Sequence, residues 1–222
     1  MRLRAYLGLG FKEFWRFLMK VQSIQHWETY DWILYKHYAK RLPSISFSFG
    51  LFIDNELTGV ITYGMPASPS LCDGICGETY RHDVLELNRL CLQNNNKNEA
   101  SYLIAHSLKL LPTPKIVVSY ADTSKNHIGY VYQATNFIYT GLSAKRTDPE
   151  NCYLTNVHNR HMPSGQPQVE RPRKHRYVYF CGDKRQKRKL LDRLNYPIQP
   201  YPKGKTQRYD SGDCVPTQRQ MF

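Results

Sequence analysis

The chain has 222 residues, 41% hydrophobic and 13% aromatic, enough to bury one sizeable core and too few for two full domains. Its formal net charge of +13 is uneven, because residues 157–222 carry 15 of the 31 Lys and Arg but only 5 of the 18 Asp and Glu. No run of 18 apolar residues occurs, which excludes a spanning helix, and six cysteines without a Cys-x-x-Cys pair argue for reduced, cytoplasmic thiols over a disulfide framework or a zinc centre.

The opening MRLRAYLGLGFKEFWRFLMK is basic like a signal peptide, but Lys12 and Glu13 break its apolar run and no small-residue cleavage site follows, so a docking helix is expected. Over 28–42, Tyr30, Ile33, Leu34, His37, Tyr38 and Arg41 recur at three- and four-residue spacing. This predicts a helix with His37 and Tyr38 on its inner face and Lys36 and Lys40 outside. ISFSFGLFI (45–53), the turn DNE and LTGVITYGM (57–65) read as a hairpin. Residues 66–82 read as a loop containing Gly, Ser and two cysteines. DVLELNRLCL (83–92) reads as a strand with Leu85, Leu87, Arg89 and Cys91 on one side and Glu86, Asn88 and Leu90 on the other. NNNKNEAS turns into a helix over 100–111 that PTP ends; KIVVSYA is a buried strand, 125–136 a short helix, and FIYTGLSA a further strand. Two crossovers from strand through helix to strand predict an α/β fold with a mixed sheet.

Beyond a catalytic domain of residues 1–156, the basic stretches RPRKHRYVYF (171–180) and DKRQKRKLLDRL (183–194) mark residues 157–222 as an extension. Cations interleaved with aromatic rings suit phosphates and bases. The nucleic-acid-binding candidates are therefore Arg171, Arg173, Lys174, Arg176, Lys184, Arg185, Lys187, Arg188 and Lys189. Leu190, Leu191 and Leu194 give the second stretch an apolar edge by which a helix would dock.

The order of elements resembles the GNAT acyltransferase fold. HYAKRLP (37–43), ELNRL (86–90), SYAD (119–122) and GYVYQATNFIYTGLSAKR (129–146) resemble the Mom family of bacteriophage DNA-modification proteins, over about residues 28–150. The resemblance implies a GNAT-like mixed central sheet flanked by helices. It also implies conversion of the exocyclic amine of adenine in double-stranded DNA to a carbamoylmethyl-bearing form, which shields phage DNA from restriction in the host cytoplasm. Chemistry at that amine requires the base to be flipped out and held by stacking. Tyr120, Tyr130, Tyr132 and Tyr139 are candidates for that pocket.

If His37 and Asp122 converge, then His37, Tyr38, Asp122 and Tyr132 surround one cavity with imidazole, carboxylate and phenol groups. General acid/base work suits that set. So does coordination of iron by His37, Tyr38 and Asp122, the option the resemblance raises. Ordinary roles stay open too: Asp122 as an N-cap accepting from Ser124 or Lys125, and His37 and Tyr132 as packed, hydrogen-bonded core groups. Arg89 on an apolar strand face needs a carboxylate, carbonyl or phosphate partner, and Ser107 faces inward one helical turn after Leu103; both are catalytic candidates. Lys97 and Asn98, before helix 100–111, are candidate contacts for acetyl-CoA, although NNNKNEAS lacks the glycines of the GNAT pattern Q/R-x-x-G-x-G/A. A GNAT N-acetyltransferase acting on a small-molecule or protein amine stays open, as does a non-enzymatic DNA-binding module.

Overall fold

The computed structural model describes residues 19–150, 152 and 164–204; the N-terminal docking helix and Cys214 lie outside them. Alternating apolar runs pair into a seven-stranded sheet of order β1-β2-β3-β4-β5-β9-β6. Its strands are β1 (Met19–Ser23), β2 (Phe47–Ile53), β3 (Glu56–Gly64), β4 (Val84–Leu92), β5 (Lys115–Asp122), β6 (Ile138–Leu142) and β9 (Lys174–Cys181). Every neighbouring pair is antiparallel except β4 and β5, which are parallel. Short strands β7 (Thr147–Pro149) and β8 (Gln168–Glu170) form a separate ribbon. This is the mixed central sheet expected from the sequence. The hairpin of β2 and β3 closes through Asp54 and Asn55, both at positive φ (52° and 67°), as a two-residue type I′ turn requires.

Helices cover both faces of the sheet. On one face lie α2 (Glu99–Leu110) and α3 (Tyr130–Ala134), where Leu103, Ile104 and Leu108 of α2 pack with Leu85, Leu87, Val117 and Tyr177. On the other lie α1 (Pro69–Cys76) and α4 (Lys184–Asp192), where Ile75, Cys76 and Leu190 pack with Ile116, Val118, Val178 and Phe180. Burial of these side chains, each worth on the order of 1.5–3 kcal/mol, holds the layers together. Cys72, Cys76, Cys91, Cys152 and Cys181 are free thiols. No helix among the described residues is long and apolar enough to cross a membrane.

Four features differ from the sequence reading. The helix expected over 28–42 is a 3-10 turn (His26–Thr29) followed by a π-helical turn (Trp32–Lys36), and at His37 the backbone becomes extended (φ −81°, ψ 136°). His37 and Tyr38 therefore follow a helical end instead of lining a helical face. Residues 69–76, read as loop, are α1: Pro69 stands at the first helical turn, and Cys72, Ile75 and Cys76 form a buried stripe. The helix expected over 125–136 is shortened to a 3-10 turn (Thr123–Lys125) and α3.

The fourth difference concerns the basic extension. Lys174–Cys181 pairs along the whole of β5, from Lys115↔Cys181 to Asp122↔Lys174, and also with β6, so this stretch lies inside the sheet and not in an appendage beyond residue 156. Tyr177, Val178, Phe180 and Cys181 are buried there. In the sequence this buried run is hidden among the flanking cations.

Candidate active site

β4 and β5 pair only over Val84–Glu86 and Ile116–Val118, yet β4 continues to Leu92 and β5 to Asp122. The strands therefore splay. At the splay opens a cavity of ≈ 1640 Å³, off the carboxyl ends of the two parallel strands, where α/β sheets hold ligands. The Ser119 hydroxyl bridges the splay by donating to Leu87 O at 3.0 Å.

A β-bulge shapes one wall. Thr62 pairs with Arg89 and Tyr63 with Leu87, leaving Asn88 as the extra residue. Leu90 and Leu92 consequently join Leu85 and Leu87 against the α2 side, and Arg89 turns to the cavity with Glu86. The strict alternation that placed Arg89 beside Leu85 and Leu87 fails here. Arg89 is spent on carbonyls: its Nε and Nη2 donate to Arg41 O (3.3 and 2.9 Å) and its Nη1 to Asn88 O (2.7 Å). Asn88 Nδ2 donates to Ser44 O at 2.8 Å, and its Oδ1 accepts from the Thr62 hydroxyl at 2.6 Å. Gly64 lets the same loop cross β3, since a Cβ there would collide with Ser44 O. These contacts pin residues 41–44, and with them the segment that carries His37 and Tyr38.

His37 and Tyr38 both line the cavity, their rings stacked at 4.4 Å, with the ring of His127 edge-on to Tyr38 at 6.2 Å. Burial, helped by the positive fields of Arg89, His127 and Lys174, lowers the His37 pKa to about 3, so the imidazole is neutral at physiological pH. Its Nδ1 accepts the Ala39 N–H at 3.0 Å. A neutral ring that accepts at Nδ1 carries its proton on Nε2, so His37 is a hydrogen-bond donor at Nε2 and not a ready base.

Asp122 does not line the cavity. Its Oδ1 accepts from the Ser124 amide (2.9 Å) and hydroxyl (2.7 Å), and its Oδ2 lies 3.5 Å from Lys174 Nζ. Burial alone would raise its pKa; the Ser124 bonds and the Lys174 charge outweigh it and hold the carboxyl below its usual range. The capping role therefore prevails at this position, and Asp122 reaches the cavity only through Lys174, which does line it. The iron set does not fit. Asp122 is engaged elsewhere, Nδ1 of His37 is taken, and no group of three or more His, Cys, Asp or Glu able to hold a metal occurs among the described residues.

Tyr132 lines the cavity from α3, and burial raises its phenol to about 12 despite a hydrogen bond with Ser119, so it stays a neutral hydroxyl. Tyr120 and Tyr130 line it too, whereas Tyr139 is a core residue hydrogen-bonded to His175 Nδ1 at 2.8 Å. Ser107 is likewise core and stands off the cavity: its hydroxyl meets Tyr63 Oη at 2.7 Å and donates to Ile104 O at 3.0 Å. Ser107→Ala is expected to lower stability by about 1–3 kcal/mol, because the Tyr63 hydroxyl loses its partner inside the core. A urea midpoint equal to that of the wild type would contradict this.

Lys97 and Asn98 line the far end of the cavity, at the start of α2. Asn95 and Asn98 take positive φ (47° and 72°), so asparagine supplies the left-handed backbone for which glycine was expected. Arg171, Lys174 and Arg176 border the cavity as well. Arg176 stacks 3.4 Å over the Tyr196 ring and donates to Thr140, while Arg173 is turned away onto Ser143 O. The α4 cations Lys184, Arg185, Arg188 and Lys189 are exposed, and Lys187 lies 5.2 Å from the centre of the Tyr179 ring. They follow Cys181, at the end of β9 remote from Lys174, and α4 then runs back along the sheet towards Tyr196, which borders the cavity.

Among the lining residues that sequence reasoning did not propose for the site are two ionisable ones that bear on its chemistry, His127 and Glu86. The signal for Glu86 was a carboxylate between Leu85 and Leu87 in a buried strand. Burial raises its pKa, while Arg89 and Lys174 pull it down less strongly.

Comparison with known proteins identifies a family. The profile of the Mom protein family matches residues 18–203. The methylcarbamoylase mom of Escherichia phage Mu is 28% identical, over 89% of this chain and 87% of its own. Among solved structures, the acetyltransferase of Bacillus subtilis in complex with CoA aligns with TM-score 0.42 and 14% identity, over 73% of this chain and 97% of that one. The ribosomal-protein-S18-alanine N-acetyltransferase of Escherichia coli aligns with TM-score 0.44 and 9% identity, over 75% and 96%.

Proposed function

The chain belongs to the Mom protein family, and on that premise we propose that it is a phage-encoded transferase acting in the host cytoplasm, which converts adenine in double-stranded DNA to N6-carbamoylmethyladenine and so protects phage DNA from restriction. The observation that carries this reading is the cavity at the β4–β5 splay, where a neutral imidazole, phenols, a carboxylate and several cations face one space large enough for a nucleotide and a donor.

The adenine amine is conjugated with its ring and paired inside the duplex, so the base must leave the stack. Tyr120, Tyr130 and Tyr132 offer ring faces or hydroxyls to an extruded base, and Arg171, Lys174 and Arg176 neutralise the phosphates beside it. His37 Nε2–H is suited to donate to an oxygen that gains negative charge as the new bond forms. An acyl-CoA donor suits the far end of the cavity, where the start of α2 at Ala100 and Ser101 and the Lys97 side chain offer a positive end to a pyrophosphate, and Asn95 and Asn98 supply the backbone turns. Such a donor would supply two carbons of the added group, whose amide nitrogen and N6–CH2 bond require a further, nitrogen-bearing reactant.

The exposed α4 cations serve as a second, sequence-independent anchor beside the cavity. Neutralising Lys184, Arg185, Lys187, Arg188 and Lys189 is expected to weaken DNA binding and to make the slope of log K against log salt shallower by about 0.9 for each phosphate that is no longer neutralised. An unchanged slope would place the anchor elsewhere. The function itself is tested by mass spectrometry of nucleosides from the DNA of cells expressing the protein. A deoxyadenosine shifted by the mass of a carbamoylmethyl group is expected; unmodified deoxyadenosine alone would overturn the reading.

A further inference from the structure

The amine that reacts must lose a proton, and the groups around the cavity divide sharply by whether they can take one. His37 accepts at Nδ1 and is protonated at Nε2. Tyr132 is a neutral phenol and Asp122 is a cap ion-paired to Lys174. Among the described residues that line the cavity, Glu86 is the sole carboxylate. It projects from β4 just before the Asn88 bulge, on the sheet face that carries Tyr120 and Arg176, in the fields of Arg89 and Lys174. Among the described residues no hydrogen bond or close ion pair engages its carboxylate, and the residue lines the cavity.

We propose that Glu86 is the catalytic base, its carboxylate accepting the proton from the adenine N6 amine as that nitrogen attacks the donor. The inference rests on the DNA-adenine reading above and adds the residue that makes the amine a nucleophile. In the step, an N6–H bond breaks and its electron pair stays with nitrogen. That pair forms the new N–C bond to an activated carbon electrophile, whose leaving group departs with its own bonding pair. The proton goes to a Glu86 oxygen. A carboxylate accepts hydrogen bonds without donating any, so it matches an amine that presents two N–H groups and can orient it before the proton moves. Burial raises the pKa of Glu86 and thereby strengthens it as a base, while the charges of Arg89 and Lys174 pull it down less strongly. His127, also on the cavity wall and with its pKa lowered chiefly by burial, is the competing imidazole.

The test compares wild type, Glu86→Gln, Glu86→Asp and His127→Asn in cells, scored by modified deoxyadenosine per unit of soluble protein, with a thermal melt and binding to a short duplex measured on each. Glu86→Gln keeps the shape of the side chain and is expected to lose at least about 100-fold of the modification, the usual worth of a positioned base, while it melts and binds DNA like wild type. Glu86→Asp keeps a carboxylate and is expected to restore part of the loss, which a purely structural role would not require. Should Glu86→Gln melt early, the Asp variant alone decides: modification at the level of an empty vector overturns the inference. Wild-type levels in Glu86→Gln, or a 100-fold loss confined to His127→Asn, overturn the assignment of Glu86 and leave the DNA-adenine reading intact. Absence of modified deoxyadenosine from the wild type overturns both.

Discussion

Replacing His37 with alanine is expected to cut the modified deoxyadenosine by about 10²–10³-fold, the cost of losing one hydrogen-bond donor aimed at developing charge. The direction follows from the tautomer: the Ala39 N–H occupies Nδ1, and a pKa of about 3 keeps the ring neutral, so the proton resides on Nε2. His37→Gln separates donation from proton abstraction, because its amide N–H₂ can stand near the place of Nε2–H but cannot serve as a base. It is expected to retain more modification than the alanine variant by about tenfold; equal loss in both would assign His37 a proton-accepting role. Stability should respond as well. The folded pKa lies below the ordinary 6.5, so the unfolded chain binds the extra proton between pH 6.5 and about 3. This contribution therefore costs nothing above pH 6.5 and destabilises the fold progressively as pH falls toward 3. In His37→Ala that part of the acid destabilisation disappears, readable as a flatter dependence of the denaturation midpoint on pH.

Arg89→Lys, which keeps the charge, is expected to be nearly as damaging. Lysine cannot reproduce a planar fork that holds Arg41 O through two nitrogens and Asn88 O through a third. The segment from His37 to Ser44 would loosen, and a displacement of the His37 ring by about 1 Å is enough to cost about 10²-fold in rate. Arg89 is thus a positioning residue, and a readout apart from activity follows from that. Trypsin should cut the variant faster than wild type after Lys40 or Arg41, because the carbonyls that tie this segment down have lost their donors. Unchanged cleavage with lost modification would mean instead that Arg89 touches the donor or the DNA directly.

Much of the scaffold can be read from local pattern. Asp54 and Asn55 announce a tight hairpin, KIVVSYA a buried strand, and the spacing of Leu103, Ile104 and Leu108 the inner face of a helix, because each is set by neighbours in sequence. The site is harder to read because its geometry arises where that regularity stops. The extra residue at Asn88 moves Arg89 from the apolar face to the cavity, and the π-helical turn ends a helix one residue before His37; both are held by contacts between distant segments. β9 escaped notice because cations that face the cavity and α4 are interleaved with Tyr177, Val178 and Phe180, and charge masked the strand. The loop before α2 lacks glycine, yet its asparagines adopt the glycine conformation. Asp122, a catalytic and metal candidate from the sequence, does what a carboxylate before a helical turn ordinarily does.

The cavity at the β4–β5 splay is expected to receive a base flipped out of duplex DNA, with Glu86 and His37 at its wall. A duplex carrying one photoreactive 8-azidoadenine tests it most directly, with the crosslinked residue located by peptide mass spectrometry. Labels on Tyr120, Tyr132 or Tyr196, lost when excess unmodified duplex competes, are the expected result. Crosslinks confined to α4, with none on the residues of the splay, would show that the base does not enter this cavity.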